Sequence, residues 1–178
     1  MKEDPARGTG LPAAQRRPRQ DIGWREDVGL PDLGISRLKA KVDTGARTSA
    51  LHAENVELDE RDGKLWVSFT VPHAGAAGRV SAPVLDERDI RNTSGRPERR
   101  YVIRTALILG RRRWKIDVSL ADRTEMAFDL ILGRTAIRGR RISVNPGRSF
   151  LAGPPAGSKP GHMTFKTSGK TSGKTSEK

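Results

Sequence analysis

The amino-acid sequence predicts an all-β domain with one short helix, and three observations carry that reading. Apolar positions between residues 38 and 144 recur mostly with the two-residue period of strands rather than the helical period. Turn-forming pairs, Asp62-Gly63 and Gly110-Arg111 among them, separate the alternating runs. A chain of 178 residues that is 34% hydrophobic and 4% aromatic has material for one modest core.

The elements follow in chain order. Leu38, Ala40 and Val42 alternate with Lys39 and Lys41, which gives a strand with one buried and one solvated face. Residues 50–58 form a second strand, and Asp62-Gly63 turns the chain into a third over 65–71. Residues 79–85 have extended character. Residues 101–109 reverse at Gly110-Arg111 into 114–120. Leu130-Ile131-Leu132 is a short, fully apolar run ending at Gly133. Residues 134–138 allow one helical turn, closed by Gly139, and a last strand spans 141–144 before Pro146-Gly147. Short strands with regular turn signals point to a sandwich or barrel.

The flanks read differently. Residues 1–20 mix Pro, Gly, Ala and Arg without periodicity, a disordered leader. Residues 152–178 end in repeats of Thr-Ser-Gly-Lys, a low-complexity tail expected to stay disordered. The folded domain is therefore expected over 21–151. Net charge is +13, of which +3 falls in the leader, +4 in the tail and +6 in the domain. The basic residues lack interleaved aromatics and no helix-turn-helix or RNA-binding signature occurs, so nucleic acid is not the favoured partner. An acidic peptide uses the same field.

Composition excludes several chemistries. With no cysteine, disulfides, thiol nucleophiles and thiolate metal sites are ruled out. His52, His73 and His162 are far apart, and no metal site is expected. Gly-Lys-Thr occurs at 169–171 and 173–175, but Thr164 and Ser168 stand where a phosphate-binding loop requires glycine. No cofactor is implied. There is no apolar run long enough to span a membrane and no apolar stretch of a secretory signal at the start, so a cytoplasmic, membrane-free protein is expected.

The informative tripeptide is Asp43-Thr44-Gly45, directly after the first alternating strand. A carboxylate at a strand end is held rigidly, Thr44 supplies a hydroxyl, and Gly45 lets backbone N–H groups approach closely. Read alone, the triplet also fits an ordinary strand-to-turn connection. Its context is Asp43-Thr44-Gly45-Ala46 followed far downstream by Ile131-Leu132-Gly133-Arg134, a pairing that resembles retropepsin-like aspartic proteases. The string from Lys39 to Ala53 is more specific. So are Gly23-Trp24-Arg25-Glu26, Asp86-Glu87-Arg88, Arg99-Arg100-Tyr101-Val102-Ile103-Arg104-Thr105, Leu132-Gly133-Arg134-Thr135-Ala136 and Pro146-Gly147-Arg148-Ser149-Phe150-Leu151. Together they are similar to a bacterial retropepsin-like family long labelled "ATP-dependent zinc protease" and associated with ATP-grasp glutamate ligases. The label's zinc ligands and phosphate loop are not found in this sequence.

The resemblance implies a closed or partly open retropepsin-like β-barrel lobe, with its one short helix after Gly133. It also implies an aspartic endopeptidase. Such chemistry needs two carboxylates sharing one proton, because like charges about 3 Å apart do not both ionise. This chain has one Asp-Thr-Gly, so the resemblance implies a homodimer in which two Asp43 side chains meet across a two-fold axis. Thr44, Gly45 and Ala46 would support the catalytic loop, with Ile131, Leu132, Gly133 and Arg134 packed beside it. The candidate flap is the hairpin over 84–101, with its tip at Asn92, Thr93, Ser94 and Gly95. Acidic or glutamate-bearing peptides are the substrate class implied.

Two departures bear on the transfer. Arg47 stands where viral relatives carry an acid, so Arg47 and Arg134 are expected to need Asp86, Glu87 or Asp129 between them. Asn145 replaces an Asp common in relatives, in what otherwise reads as a surface turn. Alternatives to the enzyme are a catalytically silent peptide-binding module of the same fold and a basic nucleic-acid-binding protein. His52 reads as a packed, hydrogen-bonded residue rather than a ligand, and Arg111-Arg112-Arg113 as a solvated corner.

Overall fold

The alternation at residues 38–42 settles into a strand whose Leu38, Ala40 and Val42 are buried while Ser36 and Lys41 face solvent. The computed structural model describes residues 18–72, 78–91 and 97–158. In chain order its strands are β1 (Gln20–Gly23), β2 (Arg25–Leu30), β3 (Ile35–Asp43), β4 (Ser49–His52), β5 (Glu54–Arg61) and β6 (Lys64–Thr70). They continue as β7 (Arg79–Arg91), β8 (Pro97–Leu109), β9 (Arg112–Ala121), β10 (Leu130–Gly133) and β11 (Ile142–Asn145). The helix α1 spans Arg134–Ile137, and a single 3-10 turn, Pro31–Leu33, links β2 to β3.

Six strands close on themselves in the order β2-β3-β10-β4-β9-β8, with β8 returning to β2 through Val28↔Leu109 and Gly29↔Ile108. Closure leaves this ring without an edge strand. Its interior holds Leu30, Leu38, Val42, Leu51, Ile103, Leu107, Leu130 and Leu132. From β8 the sheet runs on through β7, β6 and β5 as an antiparallel extension. Outside the barrel, β1 and β11 form a parallel pair from Gln20↔Ile142 to Gly23↔Asn145. The all-β expectation with one short helix after Gly133 agrees with this architecture.

Several details differ from the sequence reading. The strand expected over 50–58 is two strands that part at Ala53: β4 stays in the barrel beside β9, while β5 leaves to pair with β6. Asn55, with φ of 51°, lies in the register shift between Glu54 and Glu57 at the start of β5. β1 and β2 were not expected as strands. The extended stretch over 79–85 continues to Arg91, and β8 begins at Pro97 rather than 101. Of the leader expected over 1–20, residues 1–17 lie outside the described residues, as do most of the tail (159–178) and the flap tip Asn92–Gly95, whereas Gln20 opens β1. Residues 152–158, which the sequence reading gave to the tail, pack on the domain, and the Ala156 N–H donates to the Gly110 carbonyl (2.8 Å).

Glu26 explains why β2 tolerates charge and why the chain end returns to it. Its side chain is fully buried, and its carboxylate accepts hydrogen bonds from the backbone N–H groups of Gly23 (2.5 Å), Leu151 (2.8 Å) and Ala152 (3.2 Å). A buried carboxylate needs such donors, and here they come from both sides of a chain crossing. Glu26→Gln turns an NH2 group toward one N–H donor, so a loss of about 1–3 kcal/mol is expected in urea unfolding. An unchanged midpoint contradicts this account of the crossing.

Asp32 ties the 3-10 turn to the barrel. Its carboxylate accepts from Lys115 Nζ (2.6 Å) and from the Ala106 N–H (2.7 Å). The Lys115 hydrogen bond chiefly holds its carboxyl below the usual range, aided by the Ala106 N–H and the Lys115 and Arg113 charges and opposed by burial. A carboxyl lowered in the folded state stabilises above its unfolded value, about pH 4, and that share disappears as pH falls through the folded value. The cost of Asp32→Asn is therefore expected to be larger at neutral pH than in acid, as read by urea unfolding in both conditions.

Candidate active site

Strand β3 delivers Asp43 at its C-terminal end, in parallel register with β10, where Leu132 faces Val42 and Gly133 faces Asp43. Alternation along β3 turns the Asp43 side chain away from the core face of Val42, and it is half-buried. The chain then bends, and the backbone N–H groups of Gly45 and Ala46 each donate to Asp43 Oδ1 at 3.0 Å. Both bonds go to one oxygen, so the loop orients the carboxylate and leaves Oδ2 outside its own hydrogen bonds.

The residues after Gly133 brace this loop from below. Arg134 donates from Nη1 to the Gly45 carbonyl (2.8 Å) and from its backbone N–H to the Ala46 carbonyl (2.9 Å). Thr135 donates to the Arg47 carbonyl through its N–H (3.2 Å) and its hydroxyl (2.7 Å). Gly133 lies so close that a Cβ there would sit 2.6 Å from the Thr48 carbonyl carbon and oxygen. Its N–H donates to Ser49 Oγ (3.2 Å), and the Ser119 hydroxyl donates to the Ser49 carbonyl (3.1 Å).

Asp43, Thr44, Gly45 and Ala46 thus stand together with Ile131, Leu132, Gly133 and Arg134. Arg134 meets backbone carbonyls instead of the acid expected between it and Arg47. Asp86 pairs with Arg88 (2.6 Å) and Glu87 lies 3.6 Å from Arg99. Asn145 accepts from the Gly147 N–H (3.0 Å), a turn contact that Asp would make equally well.

The hairpin considered as a flap is present as β7 and β8, paired from Val84↔Ile103 to Arg91↔Pro97. Thr44 is exposed and lines an open cavity of about 740 Å³ with Arg134, Ile137, Arg138, Ile142 and Val144.

His52, expected as a packed, hydrogen-bonded residue, and Arg123, which no sequence signal marked, complete the surroundings. The loop between β9 and β10 hangs from His52, which is fully buried in β4. His52 Nδ1 accepts the Arg123 N–H (2.9 Å), which leaves the ring proton on Nε2, 3.1 Å from Glu54 Oε1. The His52 N–H donates to the Asp129 carbonyl (2.7 Å), so one residue fastens both ends of the loop. Arg123 is half-buried and donates from Nε to the Phe128 carbonyl (3.2 Å). Burial and then the nearby Arg100 charge pull its guanidinium below the ordinary value, while Asp129 and Asp43 act in the opposite direction. Arg100, on the hairpin strand β8, donates to Glu98 Oε2 (2.8 Å), and its buried Nε has no hydrogen-bond partner among the described residues. Arg123 therefore lies within electrostatic reach of Asp43, and Arg100 within reach of Arg123. No spacing in the sequence marks Arg123, because its position depends on a loop fastened by a histidine about seventy residues away.

Among the described residues no group of three or more His, Cys, Asp or Glu could hold a metal ion, and no helix is long and apolar enough to cross a membrane.

Known proteins match this chain in structure or in sequence. A crystal structure from Legionella pneumophila, of the protein Lpg0085 with unknown function, superposes with a TM-score of 0.65 at 29% identity, covering 75% of this chain and 98% of that one. A probable alpha-L-glutamate ligase of Desulfotalea psychrophila is 44% identical over 125 residues, 68% of this chain and 27% of the ligase. One of Parasynechococcus marenigrum is 43% identical over 136 residues, 74% of this chain and 29% of the ligase. The chain thus spans under a third of these curated relatives. The family model described as "Retropepsin-like aspartic endopeptidase RimB" matches residues 22–155, which takes in the whole barrel and the returning chain end. By that match the chain belongs to the RimB-like family of retropepsin-like aspartic endopeptidases.

Proposed function

We propose that the protein is an aspartic endopeptidase acting as a homodimer, with Asp43 from each of two copies forming the catalytic pair. The observation that carries this reading is the Asp43 carboxylate, half-buried at a barrel strand end and oriented by two backbone N–H groups. In the pair, the ionised carboxylate takes a proton from a water, whose oxygen attacks the scissile carbonyl carbon. The protonated partner donates to the carbonyl oxygen, giving a tetrahedral diol. The pair's proton then passes to the amide nitrogen, a carboxylate takes a proton from one diol hydroxyl as the C–N bond breaks, and a carboxylic acid, an amine and a pair with its single shared proton remain. A loop rigidly braced by Arg134 and Thr135 suits a reaction that tolerates little misplacement of the carboxylate.

Two features support a second copy. A lone carboxylate is half of the machinery. The cavity beside Thr44 also presents Ile142 and Val144 of β11, a strand that pairs with β1 alone among the described residues. The charged hairpin β7–β8 supports the flap assignment, since it reaches out from the barrel with arms rich in ion pairs.

For substrate, Arg123, whose charge acts on Asp43, favours an acidic side chain near the scissile bond. The ligase name of the curated relatives supports glutamate-bearing peptides, because those proteins join a region like this one to a longer chain named for glutamate chemistry. Arg123→Gln is expected to lower kcat/KM for a glutamate-bearing peptide roughly ten- to hundredfold, with a much smaller effect on a neutral one. Equal losses on both peptides remove Arg123 from substrate selection.

The test of the activity is incubation of the purified chain with acidic peptides and identification of new amino termini by mass spectrometry. Internal cleavage that needs no ATP and survives a metal chelator is expected. Cleavage abolished by chelation, or peptides bound but never cut, contradicts the proposal.

A further inference from the structure

A second cavity, of about 640 Å³, lies at the β8–β9 turn and is lined by Arg19, Arg111, Arg112, Arg113, Gln20 and Ala152, with no carboxylate in its described lining. Its place in the fold separates it from Asp43. Strand β9 starts at the cavity with Arg112 and reaches Val118, opposite Ser49, only after roughly 20 Å of strand.

The turn is built to a fixed shape. Gly110 has φ of 56°, and a Cβ there would meet the Ala152 carbonyl oxygen at 2.5 Å, so the returning chain end presses directly on the turn. The Ala156 N–H closes the contact on the Gly110 carbonyl (2.8 Å). Arg112 is held as firmly: it donates to Gln20 Oε1 (3.3 Å) and to the Arg140 carbonyl (2.5 Å), and its guanidinium lies over the Trp114 ring at 5.6 Å. Arg140 covers the same ring at 5.5 Å. Trp114 is itself buried, its indole donating to the Ala136 carbonyl (2.9 Å). Arg19 is fixed to the other wall by a hydrogen bond to the Ser143 hydroxyl.

Gly110 sets the turn and Trp114 seats Arg112, but neither requires Arg111 and Arg113, which are exposed. The acid seen near them is Asp32, 3.6 Å from Arg113 and already bonded to Lys115. Four arginines around one cavity repel each other until an anion enters, and guanidinium forks match phosphate oxygens in geometry. A single carboxylate satisfies one fork. Several phosphates in a row carry closely spaced charges that engage all four, and the volume falls in the range of ligand sites.

We propose that this arginine-lined cavity is a binding site for a run of phosphates, separate from the Asp43 site. The run belongs either to a compact polyphosphate, such as a nucleoside triphosphate, or to the backbone of single-stranded RNA. The sequence reading set nucleic acid aside on the composition of the chain. The cavity supplies what composition does not show, a rigid cationic surface inside the folded domain.

The test measures binding to the full chain at near-physiological salt, with inorganic tripolyphosphate, a labelled single-stranded RNA of ~12 nucleotides and an oligoglutamate peptide as probes. Saturable binding of at least one phosphate probe is expected, weakened at least tenfold in the Arg111→Ser/Arg113→Ser double variant, whose melting temperature stays that of the wild type. Asp43→Asn is expected to bind like the wild type. Comparable binding of both phosphate probes assigns the site to a compact polyphosphate, and binding of RNA alone assigns it to a backbone. Three results overturn the proposal: no saturable phosphate binding, an undiminished double variant (which moves the ligand to the basic flanks), or tighter binding of oligoglutamate than of either phosphate probe.

Discussion

Asp43→Asn is expected to reduce peptide cleavage by at least about 10³-fold while leaving the barrel folded. The substitution keeps the shape of the side chain and an oxygen that can accept from the Gly45 and Ala46 N–H groups, which donate to Oδ1 at 3.0 Å. It removes the ability to carry and pass a proton, on which both the attack of water and the departure of the amine depend. Melting temperature and oligomeric state should therefore match the wild type, and peptide binding should persist. Undiminished cleavage by this variant removes Asp43 from the chemistry. A wild type that binds acidic peptides without cutting them leaves the fold as a binding module.

Gly133→Ala carries the next largest effect, on stability and activity together. The backbone at Gly133 is unremarkable, with φ of −72° and ψ of 164°, so the constraint is space rather than conformation. An added Cβ meets main-chain atoms of Thr48 at 2.6 Å and of Arg47 at 3.0 Å, and backbone does not swing aside as a flexible side chain does. Either β10 or the Asp43 loop must move. A cost of about 3 kcal/mol is expected from such overpacking. For a chain of this size that lowers the melting temperature by roughly 6–12 °C. Displacement of the loop by even about 1 Å should cost roughly a hundredfold in turnover of the surviving folded protein. A variant that melts and cleaves like the wild type contradicts the close packing of β10 on the loop.

Both expectations concern parts of the molecule that a reader of the sequence can see. Strand β3 announces itself through Leu38, Ala40 and Val42, and the Asp43 loop and its Ile131–Arg134 brace lie in short motifs whose spatial pairing the family resemblance supplies. What stays hidden has a common cause: its stabilising partners are remote in sequence. Strand β2 carries Glu26 and Asp27 where a buried strand should be apolar. It folds because N–H groups from 125 and 126 residues onward meet Glu26, and because Arg37 pairs with Asp27 at 2.6 Å. The break at Ala53 is invisible for a related reason. His52 and Glu54 belong to one alternating run, yet β4 is claimed by β9 in the barrel and β5 by β6 outside it. Arg123 belongs to the same class, its backbone held by the buried ring of His52 and its charge within electrostatic reach of Asp43.

The pairing of two Asp43 carboxylates is the claim on which the catalytic account rests, and co-refolding wild type with Asp43→Asn at fixed total concentration tests it most directly. If each working site needs one carboxylate from each of two copies, activity falls as the square of the wild-type fraction. A fall in simple proportion to that fraction means that every chain works alone, and contradicts it.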